Sequence, residues 1–307
     1  MNKTLRRLLS LTLVLTGTLA LVAACGKEEP APILDPLPGF NARGASLAKF
    51  SVSMTQKVHF SRGNLQYQPS SGKWRFAPHQ YDCSGTANDN ISATTSTWID
   101  LFAWGTSGWD SGGAVFFRPW DIFDSAAGYG PGQNNLVNDK AKTDWAYFNR
   151  IQYGGDTAKY WRTLTAGEWR YLLAGRNNAV NLYALASIDD VKGLIILPDE
   201  WVPPHGTSLI VGISDTTQFD YTLYNKFSAS EWTAFDTAGA IFLPAAGVRL
   251  GTKTTDVGRN GFYWSASSAG DSLAVNMAFS VTKQLLPEHP SQRNYGFAVR
   301  PVVNAAR

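Results

Sequence analysis

Cysteine is nearly absent from this chain: Cys25 and Cys83 are the only two in 307 residues. That excludes a disulfide-stapled scaffold and leaves no paired-cysteine spacing of the kind that holds zinc. The four histidines, His59, His79, His205 and His289, stand far apart, without the spacing of a metal site or a catalytic triad. No GxSxG, no phosphate-cradling P-loop and no dinucleotide fingerprint occurs, so serine-hydrolase and nucleotide chemistry have no support here. Excess charge is also missing. Of 27 basic residues, Lys3, Arg6 and Arg7 precede the rest of the chain, which then holds 24 basic and 24 acidic residues. A neutral body has no basic footprint for phosphate backbones, which argues against a nucleic-acid partner. Long hydrophobic runs are lacking as well. The uncharged stretch Leu8 to Ala24 is broken by Ser10, Thr12, Thr16, Gly17 and Thr18. It falls short of the roughly 20 apolar residues that span a bilayer.

What is present at the start is an export signal: a basic n-region, then the short uncharged stretch, then Val22-Ala23-Ala24-Cys25. The last four residues resemble a bacterial lipobox, in which the cysteine is acylated and becomes the new N-terminus. The alternative is an ordinary cleaved signal with an incidental cysteine. Residues 1–24 are therefore expected to be a lipoprotein signal peptide, with the lipid on Cys25 as the chain's one attachment to the membrane. Gly26-Lys27-Glu28-Glu29 resembles the surface-export tag of Gram-negative lipoproteins, which implies an outer-membrane protein facing the exterior; a plain solvated tether is the other reading. Prolines from Pro30 to Pro38 suggest a polyproline-like spacer, so residues 25–48 are read as anchor and tether and 49–307 as the folded domain.

Aromatic residues make up 13% of the chain, with 11 tryptophans. Because disordered segments are poor in aromatics, the Gly/Asn/Ser-rich stretch from Tyr81 to Asp156 is expected to be ordered loops pinned by indoles. Residues 57–77 alternate as a β-hairpin would, and 96–103 suggests one short helix. Two helices carry clearer signals. Thr165-Ala166-Gly167-Glu168 and Ser228-Ala229-Ser230-Glu231 are capping boxes. Trp169, Leu172 and Leu173, and Trp232 and Phe235, follow as apolar faces, with Gly175 and Gly239 as stops. An apolar strand ending in Leu-Pro follows each, at 194–198 and 240–244; either a duplication or a shared capping solution explains the repeat. Strands are expected at 261–265, 273–279 and 295–301. Two capped helices among short strands and long loops indicate an α+β fold.

Trp161-Arg162 before Thr165-Ala166-Gly167-Glu168-Trp169, then Phe242-Leu243-Pro244-Ala245-Ala246-Gly247, then Gly261-Phe262-Tyr263-Trp264-Ser265-Ala266-Ser267, then Arg293-Asn294-Tyr295-Gly296-Phe297-Ala298-Val299-Arg300-Pro301 occur in this order. Together they resemble the C-type-lectin-like fold in its formylglycine-generating-enzyme-like branch, as carried by bacterial surface lipoproteins, over roughly residues 57–303. The branch includes an oxidase that uses a cysteine pair near its C-terminal end. Residues 261–303 contain no cysteine, so the resemblance implies no enzyme here. The branch also includes proteins diversified by retroelements, whose last strands bear a variable ligand site. That implies a recognition or adhesion module for a protein or carbohydrate ligand. A structural or adhesive subunit of a surface fibre is the alternative.

Candidate site residues follow from the last third. Val275, Met277 and Phe279 alternate with Asn276, Ala278 and Ser280, so one face is expected to be core and the other presented. Residues 285–290 read as a loop. The candidate ligand-binding set is Ser265, Ser267, Ser268, Asp271, Ser272, Asn276, Ser280, Glu288 and His289, the bland alternative being a solvated sheet face. No cofactor is expected. Lectin-like folds often hold structural calcium, for which Asn88-Asp89-Asn90 and Asp199-Glu200 offer hard oxygen ligands, with turn chemistry as the competing explanation. Cys83 reads as an inert, buried thiol, and the adjacent carboxylates Asp189-Asp190 do not by themselves point to glycoside hydrolysis.

Overall fold

The computed structural model describes residues 37–109, 117–121, 125, 128–213, 220–282 and 284–306. The leader, Cys25 and most of the proline stretch lie outside the described residues. The fold is α+β, with short antiparallel sheets, few helical turns and long ordered loops.

The two capping boxes form as the sequence dictates. The Thr165 and Ser228 hydroxyls accept the amides of Glu168 and Glu231, whose carboxylates reach back to the cap amides. They start α1 (Ala166–Arg170) and α3 (Ala229–Thr237); between them a single helical turn, α2 (Tyr221–Tyr224), begins at Asp220. A π-turn over Tyr171–Gly175 continues α1 and keeps Leu172 and Leu173 buried with Trp169. Gly239 ends α3 with φ +87°, and a side chain there would meet the Ala48 Cβ at 2.3 Å.

The four-stranded sheet runs β8 (Lys226–Phe227), β6 (Tyr183–Ile188), β7 (Val191–Ile196), β9 (Ile241–Pro244). Asp189 and Asp190 are the two-residue turn between β6 and β7, with φ of 49° and 65°. A primed hairpin turn needs positive φ at both positions, which Asp tolerates better than most residues. Their adjacency is thus turn geometry. Phe242 and Leu243 enter two different apolar clusters from opposite faces of β9, which places this sheet between those clusters.

Residues 57–77 divide between sheets. The hairpin is β3 (Leu65–Gln68) with β4 (Lys73–Phe76), extended by β5 (Ile151–Gln152) in parallel. β2 (Lys57–Phe60) leaves it and lies between β1 (Phe50–Ser51) and β15 (Val302–Asn304). A two-stranded ribbon, β10 (Val248–Leu250) and β11 (Lys253–Thr255), precedes the last sheet of β12 (Asn260–Ser268), β13 (Leu273–Ser280) and β14 (Gln284–Gln292).

Four expectations are corrected. Residues 96–103 form no helix; Ile99 bridges Tyr67, Phe102 bridges Phe297, and Ile99 to Trp104 are all buried. The helix-like apolar spacing reflects burial on both sides of an extended segment. Residues 285–290 belong to strand β14; its Pro287 and Pro290 are tolerated because β14 is an edge. Residues 295–301 make single bridges to Arg249, Phe102 and Tyr263 instead of a strand, and pairing resumes at β15. Packing also begins before Lys49: Phe40 belongs to the main core and Ala45 is 1% exposed.

A buried polar network ties these parts together. Gln80 donates to the Asp236 carboxylate at 2.7 Å and accepts from Arg300 at 2.6 Å. Arg300 also donates to Ser61 O, Asn64 Oδ1 and Phe242 O. Burial pushes the Asp236 carboxyl up from 3.8 to about 7, against the Gln80 hydrogen bond and the fields of Arg300 and Arg62. Since the folded value lies above the unfolded one, this group favours folding most at low pH, and the benefit is lost as pH rises through about 7. Between pH 5 and 8 the protein is expected to lose about 2–3 kcal/mol at this position. Asp236→Asn keeps an acceptor for Gln80 and should flatten the profile. Urea midpoints at the two pH values check this, and parallel profiles for the two proteins would contradict it.

Candidate functional site

The predicted ligand residues do not form one face. Ser265 and Asn276 are both 0% exposed, so neither is presented. The Ser265 hydroxyl donates to Val275 O at 2.6 Å, and the Asn276 amide donates to His289 O at 2.6 Å and Ser291 Oγ at 2.9 Å. The strict alternation expected along β13 fails for a physical reason. Register shifts lie between Trp264 and Ser268 and between Asn276 and Ala278, so side chains past each bulge change direction. Ala278, expected on the presented face, is 4% exposed, while Val275, expected in the core, is half-buried.

The remaining candidates fall in three places. Ser267, Ser268, Asp271 and Ser272 surround the β12–β13 turn. Glu288 and His289 lie on β14, where Glu288 pairs with Arg170 of α1 at 3.3 Å. Ser280 sits at the far end of β13, opposite Gln284.

The turn is the best-defined of the three. Ser267 Oγ accepts the Ala166 amide at 3.0 Å and so braces the start of α1. The Ser268 amide donates to Asn135 Oδ1 at 2.9 Å, and Gln133 donates to Asp271 at 3.2 Å. Beneath them lies Arg293, fully buried, with its guanidinium 4.4 Å over the Trp104 ring. It donates to Tyr129 O, Gly132 O, Leu273 O, Gly270 O and the Ser268 hydroxyl. The cation meets carbonyl dipoles, and burial lowers its pKa. Asp271 and Ser272 stand exposed above this floor. Sequence reasoning missed Arg293, Gln133 and Asn135, because no local pattern links segments so far apart along the chain.

Three of the candidate calcium residues already have protein donors on their oxygens. Asn88 Oδ1 accepts the amides of Asp100 and Leu101, and Asp89 accepts the Thr254 amide at 2.7 Å. Asp199 accepts from Ser51, and pairs with Lys57 at 3.0 Å and Arg176 at 3.2 Å. Among the described residues, no group of three or more His, Cys, Asp or Glu side chains converges. Burial, with the fields of Asp100 and Asp82, pushes the Cys83 thiol up to about 12, which disfavours the nucleophilic thiolate.

Among the described residues, no helix is long and apolar enough to cross a membrane. The chain matches no family model, no curated protein and no solved structure.

Proposed function

We propose that this chain is a lipid-anchored recognition module of the bacterial outer surface, with a C-type-lectin-like domain of the formylglycine-generating-enzyme-like branch. Its ligand is a protein or a carbohydrate, and its binding side chains surround the β12–β13 turn and the outer edge of β14. The observation that carries this reading is the braced turn. A buried guanidinium holds the backbone, so Asp271 and Ser272 above it can vary without loss of the fold.

The resemblance gains support from how its four segments meet. Ala266 donates to Leu164 O, Trp264 to Ala298 O, Gly247 to Asn260 O, and Arg162 to Val302 O. Motifs spread over much of the chain thus converge on one region. Retroelement diversification, where it operates, would have to spare Ser265 and Asn276 and use Asp271, Ser272, Glu288 and their exposed neighbours. The neighbouring DNA would then carry a reverse transcriptase and a near-copy of the 3′ end, with mismatches at those codons.

The anchor is tested directly. Cells making the full chain and fed labelled palmitate should label it, and Cys25→Ser should abolish the label. Undiminished labelling of that variant would remove the anchor from this reading.

A further inference from the structure

Four basic side chains, all outside the site above, are packed on aromatic rings. Arg75 lies 4.0 Å from the Trp98 ring centre, Arg43 5.0 Å from Tyr160, Arg62 5.9 Å from Tyr153, and the Lys159 amine 5.4 Å from Phe148. The chain makes these pairs continuous. The register of β3, β4 and β5 sets Gln66, Arg75 and Gln152 in one row, and Tyr153 follows with φ 63°. Gly44, next to Arg43, lies so close to the Tyr153 backbone that a Cβ would meet its carbonyl oxygen at 2.2 Å. Gly155 lies against the Arg43 stem in the same way, and Lys159 adjoins Tyr160 in sequence.

Among the described residues, none of the four cations has an ion-pair partner within 4.0 Å. Arg75 donates through Nε to Gln66, and Arg62 donates to Pro78 O. Among the described residues, neither the Arg43 guanidinium nor the Lys159 amine has a hydrogen-bond partner. Asp82, whose field reaches Arg62 and Arg75, accepts the His79 amide. Stacking occupies the flat face of a guanidinium and leaves its edge donors free, the geometry that forks onto a planar oxyanion.

We propose that this strip binds an acidic glycan, its carboxylate or sulfate groups taken by the guanidinium edges of Arg43 and Arg75 and by Lys159. A flexible polymer with repeated oxyanions and apolar ring faces matches alternating cations and aromatics. Single-stranded nucleic acid fits less well: each ring already has a cation on one face, where a base would stack.

The test uses the full chain in detergent, with oligogalacturonate and heparin fragments as carboxylate and sulfate probes, and dextran and oligothymidylate as controls. Saturable binding to at least one acidic glycan is expected, with none to dextran. Affinity should fall about tenfold in Arg43→Gln/Arg75→Gln. Lys159→Glu, at an exposed position, should weaken binding in a second background, and circular dichroism reports whether each variant is folded. Lys226→Gln, an exposed charge loss on β8 outside both sites, should leave affinity unchanged, which separates this strip from general surface charge. Failure to bind either acidic glycan, equal affinity in both folded variants, or tighter binding of oligothymidylate would overturn the proposal.

Discussion

Trp264→Ala is expected to cost about 3–5 kcal/mol, a large part of the roughly 5–15 kcal/mol that holds a domain together. Trp264 is fully buried, its ring centre lies 4.4 Å from that of Phe297, and its indole N–H donates to Phe102 O at 2.7 Å. Truncation opens a cavity and removes one of the two donors to that carbonyl, which keeps the Phe297 amide. Asp271→Ala and Ser272→Ala, on exposed positions, should stay within about 0.5 kcal/mol of the wild type. Urea unfolding of the three variants reads the contrast. Equal losses at all three positions would mean that the turn is part of the core and would end its candidacy as a display site.

Arg293→Ala should be comparably severe, about 3–5 kcal/mol, although no carboxylate is involved. The loss leaves the carbonyls of Tyr129, Gly132, Gly270 and Leu273 without their common donor, the first of them fully buried. Arg293→Lys should recover little, since one ammonium cannot reach acceptors spread around a planar fork. Beyond the global loss, the defect should be local. Hydrogen exchange at the amides of Ser268 to Leu273 should accelerate more in Arg293→Lys than exchange in β6 and β7. Uniform acceleration across the chain would show that Arg293 stabilises the fold without specifically holding the turn.

Much of the local structure was legible in the sequence. Both capping boxes, the helix faces they introduce and the apolar runs of β7 and β9 depend on residues close together along the chain, and they form as read. Features set by tertiary context were not legible. Asn276 was assigned to the surface by strict alternation, and a bulge turned it inward. Residues 96–103 resembled a helix because both sides of an extended segment are buried. The prolines of β14 concealed a strand that tolerates them as an edge. The turn's floor comes from residues far apart along the chain, and the cation–aromatic strip draws on five separate segments. Patterns within a window of ten residues cannot register either one.

The pairing of β2 with β15 sets an order of events during synthesis. β15, at Val302–Asn304, is made after every other described strand, yet it closes a sheet begun at Phe50. Arg300, just before it, carries hydrogen bonds to Ser61, Asn64, Gln80 and Phe242. A chain not yet made as far as Arg300 therefore holds β2 with an open edge and a polar interior without its central cation. Long-range closure of this kind slows folding. The sheet that begins at Phe50 and the polar interior around Gln80 therefore both wait on the same short segment, Arg300 to Asn304.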